Sequence, residues 1–223
     1  METYMNERDL VSRKAHAFFE DLWKRGDPWE FETSEFEHRR CARLLEIVAG
    51  RRYAKALEIG CGAGIFTRLL APIADRVVAL DVSTTAIERA KATQSGPGSI
   101  EFRVANIMEY DVRAEGPWDL VVFSDTICFL GWLYSFFDVG WLAMEIFAAT
   151  RPGGRLLLPN CFGGAQDYLM RPWLIRTYRD LFANVGYQVN SEEVFHGTKN
   201  GVPIEMLITF LEKKIEETTP GGY

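Results

Sequence analysis

The stretch Leu57-Glu58-Ile59-Gly60-Cys61-Gly62-Ala63-Gly64 sets an acid directly ahead of three alternating glycines. Glycines in that pattern let the backbone turn sharply and come close to a bound molecule. The spacing is G-x-G-x-G, not the G-x-G-x-x-G of dinucleotide sites, and a pyrophosphate would be repelled by Glu58, whereas a cation would not. A second acid, Asp81, follows at about the 20-residue distance from which a carboxylate takes both hydroxyls of a ribose. A nucleoside with a positive group in place of phosphate satisfies all of these features. The candidate binding set is therefore Glu58, Gly60, Cys61, Gly62, Gly64 and Asp81, with Val82 beside it.

Further along, Asp125 could accept a proton or hold an amine, or it could bond to the ligand or nearby backbone. His196 is a candidate acid–base group, with a solvated loop histidine as the plainer reading. Trp29 either stacks over the nucleoside or anchors the helix before it. Ser34 reads as an N-cap, with Glu37 three residues on completing a capping box. The helix it opens offers free N–H groups to a carboxylate, and Arg39 could pair with the same anion. The cysteines (Cys41, Cys61, Cys128, Cys161) and histidines (His16, His38, His196) are scattered without the close pairs that a zinc site needs, so no metal is expected.

The elements that must position these residues follow from periodicity. Helices are expected over 6–25 and from Ser34 to Gly50. Strands and helices then alternate: strand 54–59, a helix to about Ala71, strand 76–82, helix 84–94, strand 100–106, strand 118–124, an aromatic helical region, and strand 155–159. A helix over 167–184, despite Pro172, precedes strands 187–195 and 203–211, joined by a link from His196 to Gly201. Alternation of this kind predicts a doubly wound, Rossmann-like α/β sheet of seven strands with an antiparallel last strand, preceded by a helical cap. Such a sheet binds its ligand beyond the carboxyl ends of its strands. The expected division is a cap over 1–50, a binding domain over 51–215 and a frayed tail over 216–223. The ring-rich stretch from Cys128 to Trp141 holds more aromatic surface than one helix face can bury, so part of it is expected to wall a ligand pocket. Phe162, Gly163, Gly164, Tyr168, Trp173 and Tyr178 are the expected far wall.

The chain has 223 residues, 48% of them hydrophobic, and a net charge of -6. That size and composition suit one folded domain with its own core. The acidic balance argues against nucleic acid or an anionic membrane as partner. With no apolar run long enough to span a bilayer and a polar start, a cytoplasmic monomer or homodimer is expected.

At this point a resemblance emerges. Residues 54–160 resemble class I S-adenosylmethionine-dependent methyltransferases: Glu58 to Gly64 and Asp81 match the first two motifs. Asn106, with Ile107 beside it, falls at the third, where the family often has Asp near the adenine. Asp119 to Asp125, including Ser124, matches the fourth, and Arg151-Pro152-Gly153-Gly154-Arg155-Leu156 the turn before the fifth strand. Asp27-Pro28-Trp29-Glu30-Phe31 to Arg40 is similar to the leading segment of the nodulation protein S family, which methylates the amino group of chitooligosaccharides. The resemblance implies S-adenosyl-L-methionine as cofactor and a small-molecule acceptor, with nitrogen favoured over oxygen because obvious general bases are scarce. A nicotinamide oxidoreductase would need G-x-G-x-x-G. A methyltransferase of planar nitrogens would carry Asn/Asp-Pro-Pro-Tyr/Phe where this chain has Ser124-Asp125-Thr126-Ile127. A hydroxyl acceptor, or a protein that only binds the cofactor, are the remaining alternatives.

Overall fold

The computed structural model describes residues 2–94, 99–162 and 169–215. Helices α1 (Glu2–Lys24) and α2 (Glu35–Val48) lead into β1 (Tyr53–Ile59) and α3 (Ile65–Leu70). After a 3-10 turn at Ala71–Ile73 come β2 (Ala74–Asp81), α4 (Thr84–Ala92), β3 (Ser99–Val104) and β4 (Trp118–Phe123). The remainder is α5 (Ile127–Leu133), α6 (Phe136–Ala149), β5 (Thr150–Phe162), α7 (Pro172–Asn184), β6 (Tyr187–Lys199) and β7 (Val202–Lys213).

The strands form one seven-stranded sheet in the order β3-β2-β1-β4-β5-β7-β6. β1 pairs in parallel with both β2 and β4, while β7 runs antiparallel to β5 and β6. The order reverses between β1 and β4, which opens a crevice at their carboxyl ends. β4 is buried along its whole length, as an apolar strand covered on both faces must be. Alternate residues divide the two faces. Leu57, Ile59, Val121 and Phe123 pack with α5, α6 and α7, whereas Ala56, Leu120 and Val122 pack toward α2 and α3.

Three local expectations change. The link between the last strands is the two-residue turn Asn200-Gly201, with φ of 52° and 76°. Two positive φ values mark a primed hairpin turn, for which Asn-Gly is the preferred pair. His196 therefore belongs to β6 rather than to a loop. Pro172 is the first residue of α7 instead of an interruption within it, because its missing N–H costs nothing there. The aromatic region divides into two helices at Tyr134–Ser135, where the Ser135 hydroxyl accepts from Asp138 N to cap α6. Gly163, Gly164, Tyr168 and the tail 216–223 lie outside the described residues.

Candidate active site

A cavity of about 200 Å³ opens at the carboxyl edge of β1, β2 and β4. Its floor is made of the glycine loop (Gly60, Gly62), Asp81 and Val82 after β2, Asn106 and Ile107 after β3, and Ser124 to Thr126 after β4. Its roof is aromatic: Phe19 and Trp23 of α1, Trp29 and Phe31 of the connector to α2, and Phe129 of α5. The sheet supplies polar backbone and carboxyl groups from below, and the N-terminal helices supply rings from above.

The glycine loop is tied to β2 twice, since Gly60 N and Cys61 N both donate to the Leu80 carbonyl, at 2.8 and 3.0 Å. Gly62 N donates to Asp81 Oδ2 at 2.9 Å and Ser83 N to Oδ1 at 2.8 Å. Both Asp81 oxygens thus accept from backbone N–H groups, and the carboxylate keeps acceptor capacity for a ligand. Burial pushes the Asp81 carboxyl up, and the Ser83 and Gly62 N–H groups pull it back. A Cβ on Gly60 would stand 2.1 Å from Thr126 Cγ2, and one on Gly62 would stand 2.9 Å from the Trp23 ring. Side chains at these two positions would collide with Thr126 and Trp23, so the loop packs closely against the segment after β4 and against α1. Gly64 contributes differently. It precedes α3 under the Phe102 ring and, like Cys61, is not among the cavity-lining residues.

Glu58 is 1% exposed and does not reach the cavity wall. Its oxygens accept from Thr67 Oγ1 at 2.6 Å and Ser124 Oγ at 2.8 Å, so it clamps α3 and the end of β4 around the glycine loop. Burial pushes its carboxyl up to about 7, against the pull of these hydroxyls. Direct contact with a cation is thus not what this acid offers. Asn106 accepts from Met108 N at 3.0 Å and donates to the Tyr134 hydroxyl at 2.6 Å and to Ser12 Oγ at 3.1 Å. Its amide joins the end of β3 to α1 and to the residue after α5.

At the other end of the cavity lies a buried chain of charges. Arg40 Nε meets Glu37 Oε2 at 2.7 Å, and its Nη1 meets Asp125 Oδ2. Lys199 Nζ reaches Glu37 Oε1 at 2.7 Å. Asp125 Oδ1 accepts from Cys161 N at 2.6 Å, and its backbone is left-handed at φ 53°. Burial raises the Asp125 carboxyl, while Arg40 and the Cys161 N–H oppose the rise. Burial likewise works against the Arg40 charge, but Asp125 and Glu37 keep it protonated. Asp125 is thus brought to the cavity already engaged on both oxygens.

Four sequence expectations are redirected here. Arg39 is exposed and lies over the Phe195 ring at 5.8 Å; its neighbour Arg40 is the arginine that faces the site. Ser34 occupies the N-cap position without a side-chain cap bond, and Glu37 is committed to Arg40 and Lys199, so no capping box forms. His196 is an exposed residue of β6 paired with Glu205 at 3.0 Å, and the structure does not bring it to the cavity. Of the aromatic region, Phe129 and Tyr134 line the cavity, but Trp132, Phe136, Phe137 and Trp141 are exposed on the outer side. Glu37, read only as a capping residue, and Arg40 and Lys199 were not singled out as site residues. A usable signal was present for one of them: Arg40 falls between Phe36 and Leu44 on the apolar stripe of α2, where a charge must find a buried partner.

Comparison with known proteins matches this architecture. The family Nodulation protein S (NodS) matches residues 12–173. Nodulation protein S of Bradyrhizobium diazoefficiens is 34% identical over 170 residues, 74% of this chain and 75% of that protein. The Rhizobium tropici protein is 32% identical over 151 residues, 66% of this chain, and the match spans 58% of the relative's own length. Among solved structures, N-methyltransferase NodS from Bradyrhizobium japonicum WM9, in complex with S-adenosyl-L-homocysteine, superposes with a TM-score of 0.69 at 23% identity, over 84% of this chain and 92% of that one. The 1,6-didemethyltoxoflavin-N1-methyltransferase of Burkholderia thailandensis gives 0.68 at 15% identity, covering 94% of this chain and 90% of that one. These likenesses establish the fold as that of the class I methyltransferases, and the sequence matches establish that the chain belongs to the nodulation protein S family.

Proposed function

We infer that this chain is an S-adenosylmethionine-dependent methyltransferase whose acceptor is an amine on a small molecule. The observation that carries the reading is the convergence of Gly60, Gly62, Asp81 and Asn106 on one cavity roofed by rings. The site fits a nucleoside: Gly60 and Gly62 bring bare backbone to the cavity, and Asp81 presents a carboxylate with acceptor capacity to spare. Gly60, Gly62, Asp81, Val82, Asn106, Ile107 and Ser124 would hold the cofactor, with Trp29 and Phe31 over it. When bound, the cofactor supplies an electrophilic sulfonium methyl. Residues 1–50 act as a cap, since Trp23 packs on the glycine loop and Glu20 accepts from Thr85 N and from the hydroxyls of Ser83 and Thr85 at the start of α4.

The preference for nitrogen follows from how the polar end is wired. A hydroxyl acceptor needs a general base within about 3 Å. Glu37 and Asp125 both line the cavity, yet each is already held in an ion pair, Asp125 with Arg40 and Glu37 with Arg40 and Lys199, so neither stands free beside an acceptor. An amine that arrives neutral needs only alignment and removal from water, and these walls supply both. Asp125 then orients the nucleophile without taking its proton.

The test is titration calorimetry with S-adenosyl-L-homocysteine, followed by mass spectrometry of reactions with aminosugars, aliphatic amines and phenols. Binding together with a gain of one methylene on an amine is the expected result. Methylation of phenols alone would overturn the assignment to nitrogen, and absence of binding would overturn the cofactor reading.

A further inference from the structure

The polar end of the cavity also holds down its roof. Lys199, the last residue of β6, donates to Glu37 Oε1 at 2.7 Å and to the carbonyl oxygen of Trp29. Asn200, at the turn, donates from Nδ2 to Glu30 Oε2 at 2.8 Å. The hairpin tip is thereby fastened to the connector at Trp29 and Glu30 and to α2 at Glu37. The Lys199 and Glu37 side chains are 17% and 5% exposed, so solvent screens their attraction weakly. Behind Glu37, Arg40 carries the connection to Asp125 and the end of β4.

The connector needs such a hold. Glu30 lies at φ 54°, a left-handed conformation that a non-glycine residue keeps only where its surroundings impose it. The two bonds from the hairpin tip land on Trp29 and on Glu30 itself. The rings of Trp29 and Phe31, on either side of Glu30, line the cavity. Strain, fastening and roof therefore coincide in three consecutive residues.

We propose that Lys199 is a positioning residue that latches Trp29 and Phe31 over the bound nucleoside, so that release of this latch sets how fast the demethylated cofactor leaves. The proposal rests on the reading of the cavity as the S-adenosylmethionine site. Lys199 lines the polar end of the same cavity, and its hydrogen bonds go to Glu37 and Trp29 rather than to the glycine loop or Asp81. Its proposed effect on retention runs through the connector, which hydrogen exchange reads in the absence of any ligand.

The experiment uses surface plasmon resonance on the immobilised full chain, with S-adenosyl-L-homocysteine as the analyte. Lys199→Met is expected to raise the dissociation rate about tenfold, the loss of the charge-assisted attachment to the connector at Trp29. Lys199→Arg, which keeps the charge and the donors, is expected to stay within about threefold of wild type. Equal dissociation rates for wild type and Lys199→Met overturn the latch. Hydrogen exchange of residues 29–37, measured without ligand, gives an independent reading: faster exchange in Lys199→Met supports the latch, and unchanged exchange overturns it. A wild-type chain that gives no response to S-adenosyl-L-homocysteine counts instead against the cofactor reading, and the exchange result then decides the latch alone. Asn200→Gly covers the case in which Lys199→Met fails to fold. It keeps the left-handed turn, removes only the Glu30 bond, and is expected to speed dissociation about twofold. No change in that variant also overturns the proposal.

Discussion

Gly62 is where the cap and the glycine loop meet, and replacing it with alanine measures that contact. The position has φ 53°, and a Cβ would lie 2.9 Å from Trp23 Cζ2 and 3.3 Å from Cη2. An L-residue in a left-handed conformation costs about 1–2 kcal/mol. Trp23 is 1% exposed, and its ring is 5.8 Å from that of Trp29, so it has little freedom to withdraw. Forcing a methyl against it adds the usual cost of overpacking, about 1–3 kcal/mol. Gly62→Ala should thus destabilise the chain by about 2–5 kcal/mol, or roughly 4–20 °C in melting midpoint for a domain of this size. Only the second component depends on Trp23. Introducing Gly62→Ala into a Trp23→Leu background should therefore cost about 1–3 kcal/mol less than in wild type. Urea denaturation of the four proteins of this cycle gives the coupling directly. If the two changes add to within about 0.5 kcal/mol, Trp23 does not bear on the loop and the description of the cap is wrong.

Asp81→Asn should lower affinity for S-adenosyl-L-homocysteine at least tenfold by calorimetry, because two charge-assisted bonds worth about 1.5–3 kcal/mol each are weakened. An unchanged dissociation constant removes Asp81 from the site. Glu58, pushed up to about 7 in the fold against an ordinary value of 4.5, contributes stability that is complete below about pH 4.5 and lost as pH rises through about 7. Glu58→Gln should flatten this decline, measured as the change in melting midpoint between about pH 5 and about pH 8; a profile as steep as that of wild type refutes the assignment. Asp125→Asn tolerates the left-handed backbone but turns a donor toward either Arg40 or the Cys161 N–H. It should cost about 1–3 kcal/mol by urea denaturation and lower turnover while leaving cofactor affinity nearly intact. Loss of cofactor binding in this variant would move Asp125 out of the acceptor end.

The floor of the cavity was legible because it is local. The glycine loop, Asp81 and Asn106 each follow a strand, and strand periodicity with glycine spacing locates such positions without any tertiary knowledge. The parallel sheet with its antiparallel β7 was legible for the same reason, since short apolar runs alternate with helical ones and a short link cannot make a parallel crossover. The polar end was not legible, because its order comes from distant partners. Lys199 and Glu37 are separated by 162 residues, and no periodicity announces their meeting. Arg39 and Arg40 differ by one helical step, about 100°, and the choice between them depends on where Asp125 sits. His196 was misplaced for a different reason. The Asn200-Gly201 pair by itself specifies a two-residue turn, so both strands extend further than their apolar cores suggest.

The long reach of the latch also sets the order in which the site is assembled on the ribosome. Trp29 and Glu37 are synthesised early, but Lys199 follows them by 170 and 162 residues. At about 5–20 residues per second, roughly 10–30 s pass between the emergence of the connector and that of its fastening. Through that interval Trp23, Trp29 and Phe31 have no finished cavity to cover, and the nascent chain presents an aromatic segment to whatever binds apolar peptides. A chain that stops short of β6 carries the glycine loop and Asp81 without the residue that fastens the connector.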